Sequence, residues 1–343
     1  MSTRQPDSLA VIGAGSWGTA LAVQAARAGH PVTLWGRDPA QLAALAATRS
    51  NERYLPGVAF PDALRVQLDL AAAVAAHADL LVCVPSHAFR ATLRAMAPLL
   101  AAGSRVAWAT KGFEQGSGAL PHEVALGELG ARVPLAVLSG PTFAREVGAG
   151  LPTAMTVAST DASFAADLAG RLSGHGFRAY TSPDLAGVEV GGATKNVLAI
   201  GAGISDGLGY GANARVALIT RGLAEMTRLG VALGARPATF TGLSGLGDLV
   251  LTCTDDQSRN RRLGLALAAG RSAADAAREI GQVVEGVYGS SAVRAVATRL
   301  GIELPICEQV YRILHQGLAP RDAVQVLMAR TLKAETDPDL WGA

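Results

Sequence analysis

An α/β domain built on a parallel sheet, followed by an all-α domain, is the fold class this sequence predicts, and three observations carry the prediction. Short apolar runs alternate with helical patterns through the first half, the mark of successive βαβ units. A glycine-rich turn follows the first run and opens a helix. After about residue 184 the short runs give way to apolar residues recurring at steps of three and four. A chain of 343 residues exceeds one ordinary hydrophobic core, so a division into residues 1–184 and 185–343 is expected, with the join near Ser182 and Pro183.

The first strand is LAVIG at 9–13, and VIGAGSWGTALA places Gly13, Gly15 and Gly18 in the spacing G-x-G-x-x-G directly after it. That context suits a tight turn, a close approach of backbone to a pyrophosphate, and a phosphate over the helix N-terminus. It predicts a Rossmann-type dinucleotide-binding domain, with Ser16 and Trp17 beside the phosphates through their backbone N–H groups; a glycine turn without ligand is the alternative. The helix, roughly 16–28, stops at Gly29. The second strand, PVTLW at 31–35, runs into GRDP, so Arg37 stands where an acidic residue would accept from a ribose 2′-OH. Arg37 suits a 2′-phosphate, and Asp38 still lies near enough to reach a ribose, so NADP(H) is expected alongside NAD(H). A surface arginine in a turn is the plainer reading.

ADLLVCV at 78–84, SRVAWAT at 104–110 and PLAVLSG at 134–140 complete the sheet, and TAMTVAS at 153–159 and FRAYTS at 177–182 extend it. In the second half Val216, Ile219, Leu223 and Met226 form an apolar helix face behind Asn213 as cap, and stretches near 285–299, 305–316 and 319–333 also read as helices.

Composition narrows the function classes. Hydrophobic residues make up 50% of the chain and charged ones 17%, which excludes a disordered polymer. A net charge of +2 offers no global attraction to nucleic acid or to an anionic membrane. Cys83, Cys253 and Cys307 are far apart and odd in number, which points to a reducing compartment, and the six histidines form no ligand spacing, so no metal is expected. Arg4 followed by the uncharged run Leu9–Ala26 superficially resembles a signal peptide, but three glycines, Ser16 and Thr19 within the run favour a folded element and no stable membrane insertion.

Residues 191–203 read GGATKNVLAIGAG, and between Glu189 and Asp206 the only charged side chain is Lys195. A buried lysine without a partner deprotonates or finds an anion. Its glycines are expected to let this helix approach the cofactor domain closely.

GAGSWGTALA, WATKG at 108–112, SGPTFA at 139–144, GGATKN at 191–196, GLGDLVLTC at 245–253, SRNRR at 258–262 and QVVEG at 282–286 together resemble the soluble bacterial NAD(P)-dependent glycerol-3-phosphate dehydrogenases, in order from about residue 8 to 330. The resemblance implies reversible hydride transfer between sn-glycerol 3-phosphate and dihydroxyacetone phosphate, supplying phospholipid synthesis in the cytoplasm. It also implies a C-terminal domain like that of 6-phosphogluconate dehydrogenase, and by analogy a homodimer. By resemblance Lys195 is the proton acceptor or donor at the C2 oxygen, with its pKa lowered by burial or by Lys111 if that residue is near. Lys111 is implied to contact both cofactor and substrate. Gly140, Thr142, Asp248, Ser258, Arg259 and Asn260 are implied to bind substrate, and Asp248 alternatively orients Lys195 or caps a helix. SRNRR supplies hydroxyl, guanidinium and amide donors in the small volume a phosphate needs; Arg261 and Arg262 are read as structural or electrostatic. Tyr54, Ala144, Arg259, Val283 and Glu285 carry over as cofactor contacts.

Two rivals remain. A β-hydroxyacid dehydrogenase would carry an asparagine four residues after its lysine, on the same helix face, whereas here Asn196 is adjacent and position 199 is Ala199. A non-catalytic NADPH-binding sensor would have no need of Lys195, Asp248 and the SRN cluster together.

Overall fold

The computed structural model describes residues 8–332 and 334–335, so Arg4 lies outside the described residues. The chain divides into two compact units: the described residues through Thr110 together with Pro121–Leu185, and Lys111–Leu120 together with the described residues from Ala186 onward. A single cut along the chain does not describe this division, because ten residues of the first half pack with the second unit.

The first unit holds β1 (Leu9–Ile12), β2 (Val32–Trp35), a small hairpin of β3 (Ser50–Asn51) and β4 (Leu55–Ala59), β5 (Leu64–Val66), β6 (Asp79–Val82), β7 (Arg105–Trp108), β8 (Leu135–Ser139), β9 (Thr153–Ser159) and β10 (Phe177–Ser182). Its main sheet runs β10-β9-β8-β7-β6-β1-β2-β5. β1 and β6 are buried at every position, because helices cover both faces of the sheet and the strands read as unbroken apolar runs. Asp79 at the foot of β6 is the polar exception, held by Arg105 at 2.6 Å and by Arg171.

The expectation of a parallel sheet holds for β5, β2, β1, β6, β7 and β8, but β9 pairs antiparallel with β8, and β10 runs parallel to β9. The connection between β8 and β9, residues 140–152, holds one short helix. Its helix, Ala144–Ala149, has six residues and rises about 9 Å. The five residues of β8 span about 17 Å, so this helix is too short to run back along the strand as a crossover helix does.

The uncharged run Leu9–Ala26 becomes β1, a turn and the helix Ser16–Arg27, which ends with Gly29 at φ +94°. Among the described residues no helix is long and apolar enough to cross a membrane.

The second unit is helical, with Leu185–Gly207, Gly211–Ala232, Asp248–Thr254, Arg259–Ala268, Glu285–Leu300, Pro305–Gln316 and Pro320–Met328 as its main elements. Two details differ from the sequence expectation. Gly209 and Gly211 take positive φ, which restarts the chain early, so Tyr210 occupies the cap position and Asn213 lies inside the first turn. Val216 is 60% exposed, whereas Ile219 and Met226 reach the core, because the buried stripe begins one turn later. The glycines of Leu185–Gly207 serve packing within this unit: a Cβ on Gly191 would strike the Ser244 carbonyl, and one on Gly203 the Arg261 carbonyl. Phe113 and Leu120, from the inserted Lys111–Leu120 stretch, are buried in the same core.

Candidate active site

In the α/β unit, β1 lies between β2 and β6, the point where successive strands turn to opposite sides of the sheet and where open α/β sheets take ligands at their carboxyl ends. The turn after β1 is shaped by its three glycines. Gly13 adopts φ +128°, and a Cβ there or at Gly18 would collide with the Cys83 or Gly13 carbonyl respectively. Gly15 differs: a Cβ there would meet no protein atom within 4 Å. Packing therefore does not demand glycine at position 15, whereas close approach of a pyrophosphate does. Gly15 is the N-cap of Ser16–Arg27 with no side-chain cap, so Ser16 and Trp17 sit in the first turn, where backbone N–H groups lack helical acceptors. The Trp17 indole Nε1 is buried without a partner. These features fit a dinucleotide.

Arg37 is exposed just past β2. Asp38 is committed locally: its Oδ1 accepts from the N–H groups of Ala40 and Gln41 at 3.0 and 3.3 Å, capping Pro39–Thr48. Tyr54 lies half-buried in the β3–β4 connection beneath the Arg53 guanidinium, 5.0 Å from its ring centre. After β8, Gly140 takes φ +153°, and a Cβ on it would press on Met155 Cα at 2.9 Å. Thr142 donates to the Gly140 carbonyl at 3.2 Å, and Ala144 begins Ala144–Ala149.

The helical unit assembles the charged centre. Lys195 is 6% exposed, on a helix buried along most of its length. Its Nζ donates to Asp248 Oδ1 and, at 3.1 Å, to Thr252 Oγ1. Lys111 Nζ donates to the other oxygen, Asp248 Oδ2, at 2.7 Å. Two ammonium groups thus share one fully buried carboxylate. Burial is the largest influence on Lys195 and lowers its pKa to about 7; the charge of Lys111 pushes the same way and Asp248 opposes it. Burial alone would raise the Asp248 carboxyl, but the two lysines outweigh it and hold the group below its ordinary value. Asp248 begins Asp248–Thr254, yet its side chain binds lysines instead of capping that helix.

SRNRR folds as a helix start. Ser258 Oγ accepts from Arg261 N–H at 3.2 Å and so caps Arg259–Ala268. Asn260 is locked from both ends of its amide: Nδ2 donates to Asn196 Oδ1, and its Oδ1 accepts from Gly286 N–H, each at 2.9 Å. This amide ties Leu185–Gly207, Arg259–Ala268 and Glu285–Leu300 together just beyond Lys195. Arg259 Nη1 reaches Gln282 Oε1 at 3.4 Å, Glu285 opens its helix, and Val283 precedes it half-buried. Arg261 pairs with Asp256 at 2.8 Å and with Asp206, a packing role, while Arg262 is exposed.

Sequence reasoning missed Thr252 and Asn196. Thr252 was legible, since it follows Asp248 by one helical turn in GLGDLVLTC. Asn196 was visible only as the residue that argued against a rival site.

Comparison with known proteins agrees with these features. The family model described as NAD-dependent glycerol-3-phosphate dehydrogenase N-terminus matches residues 8–165, and the corresponding C-terminus model matches 184–325. The glycerol-3-phosphate dehydrogenase [NAD(P)+] of Cronobacter sakazakii is 57% identical over 329 residues, covering 96% of this chain and 97% of that protein. The enzyme of that name from Tolumonas auensis is 56% identical, covering 96% and 98%. The crystal structure of glycerol-3-phosphate dehydrogenase from Coxiella burnetii superimposes with a TM-score of 0.91 at 50% identity, covering 95% of this chain and 99% of that one. Since the two family segments follow one another and together span most of its length, the chain belongs to the NAD-dependent glycerol-3-phosphate dehydrogenase family.

Proposed function

We propose that this chain interconverts sn-glycerol 3-phosphate and dihydroxyacetone phosphate, using NADP(H) or NAD(H), and that it supplies glycerol 3-phosphate for phospholipid synthesis in the cytoplasm, as a homodimer. The observation that carries the reading is a buried lysine with its pKa near 7, held by an aspartate that a second lysine also grips. A bound nicotinamide supplies the hydride acceptor or donor for C2. In the oxidising direction the neutral Lys195 amine takes the proton of the C2 hydroxyl, leaving a ketone; in the reducing direction the Lys195 ammonium returns that proton to the C2 oxygen. Asp248 and Thr252 hold Nζ in place, and a base poised near neutral pH performs both directions.

We assign the substrate phosphate to Ser258, Arg259 and Asn260. Ser258 accepts in its cap and keeps its O–H as donor, and Asn260 keeps one amide N–H. Lys111, Gly140 and Thr142 complete the substrate contacts in this reading. Gly13, Gly15, Ser16, Trp17, Gly18, Arg37, Tyr54, Ala144, Val283 and Glu285, with Lys111 and Arg259, hold the cofactor.

The test follows NADPH absorbance with dihydroxyacetone phosphate and with 3-oxoacids, for wild type and Lys195→Ala. Turnover of the phosphate substrate alone is expected, with kcat lowered about 10²- to 10⁴-fold in the variant. A fully active Lys195→Ala would sink the mechanism, and preference for 3-oxoacids would sink the substrate.

A further inference from the structure

The loop between Gly13 and Gly18 is braced by two side chains that no sequence motif singles out. Gln41 Nε2 donates to the Ala14 carbonyl at 2.8 Å, and Asn51 Nδ2 donates to the same carbonyl at 3.1 Å. Asn51 is 1% exposed, and its second amide hydrogen goes to Thr19 Oγ1, one turn into the helix, at 2.8 Å. The orientation of this amide is fixed by chemistry: flipped, its oxygen would face the Ala14 oxygen. In a trans peptide the carbonyl of one residue and the N–H of the next point in opposite directions. With the Ala14 carbonyl drawn toward two donors, the Gly15 N–H is turned the other way, on the residue whose Cα faces open space.

We infer that Asn51 and Gln41 are positioning residues for dinucleotide binding: by holding the Ala14 carbonyl inward they aim the Gly15 N–H at the pyrophosphate. The inference rests on the reading of this loop as the cofactor site. It also gives Asp38 an indirect part, since that residue caps the helix that delivers Gln41.

The test measures Kd by fluorescence titration for NADPH, NADH and adenosine 2′-monophosphate, which has no pyrophosphate, on wild type, Gln41→Ala, Asn51→Ala and the double variant, alongside thermal melts and steady-state kinetics. Loss of one hydrogen bond to this carbonyl is expected to raise Kd for both dinucleotides about tenfold. The KM for NADPH rises in parallel, kcat stays within about threefold, and adenosine 2′-monophosphate binds within about twofold of wild type. Gln41 is half-buried on a helix surface, so its variant keeps the test open if Asn51→Ala fails to fold. Unchanged NADPH affinity in Gln41→Ala and the double variant, or equal loss for all three ligands, overturns the inference. A wild-type protein that binds no dinucleotide overturns both the inference and the reading beneath it.

Discussion

In the proposed mechanism Lys195 carries the acid–base step because the influences that favour its neutral form outweigh the one that favours its charge. Burial and Lys111 favour the neutral amine, Asp248 favours the ammonium, and the result is a group that titrates near pH 7. Oxidation of glycerol 3-phosphate needs the neutral form, so its kcat/KM should rise with pH through about 7; reduction of dihydroxyacetone phosphate needs the ammonium and should fall over the same range. Lys111→Ala removes a like charge and should move the midpoint of both profiles upward, whereas a midpoint unmoved by that change would detach Lys111 from the acid–base group. Arg37 is a separate matter. It is an exposed guanidinium just past β2, proposed above to hold the cofactor, and a hydrogen bond to a charged group such as a 2′-phosphate contributes about 1.5–3 kcal/mol. Arg37→Ala should therefore cut the NADPH-over-NADH preference by about tenfold or more in kcat/KM, with NADH kinetics little changed.

The N-terminal end of helix Pro305–Gln316 rests on a buried acid that the reaction does not use. Glu225, from Gly211–Ala232, accepts from the N–H groups of Ile306 and Cys307 at 2.6 and 3.1 Å and so satisfies the open end of that helix. Burial raises its pKa from 4.5 to about 7, although those two hydrogen bonds pull downward. Between these values the folded protein holds a proton that the unfolded chain releases. The stabilisation from Glu225 is thus complete below about pH 4.5 and is lost as pH rises through about 7. Glu225→Gln cannot titrate, so the Tm of wild type relative to this variant should climb as pH falls from 7 toward 4.5, in a calorimetric series. A difference independent of pH would show that burial does not raise the Glu225 pKa.

The chain crosses between its two units more than once, and the excursion at Lys111–Leu120 is the consequential crossing. Phe113 and Leu120 fill the helical core, Arg299 Nη1 donates to the Ser117 carbonyl at 3.1 Å, and Lys111 completes the pair of lysines on Asp248. Phe113→Ala should cost about 3–5 kcal/mol, read as a shifted denaturant midpoint, despite its distance in sequence from the helical half. An excised fragment 185–343 lacks Phe113, Leu120 and Lys111 together, and should melt without a sharp cooperative transition by circular dichroism. A fragment as cooperative as the intact chain would mean that the excursion contributes little to the core.

Most elements were legible because their causes are local. Apolar runs bounded by turn residues mark the strands, Gly13, Gly15 and Gly18 carry their own conformational logic, and a lone charge in an apolar helix marks Lys195 without any partner in view. Strand direction was not legible, since β8 and β9 are apolar runs that read alike either way, and only their pairing in the sheet reveals the reversal. Nor was the answer to the lysine: Asp248 lies 53 residues from Lys195 and 137 from Lys111, and the pKa near 7 exists only where all three are brought together out of water. The sequence by itself thus determined which groups could do chemistry and which segments would be helix or strand. Tertiary structure decided which groups meet and in which charge state, because desolvation and Coulomb energy depend on distances in space that local periodicity does not encode.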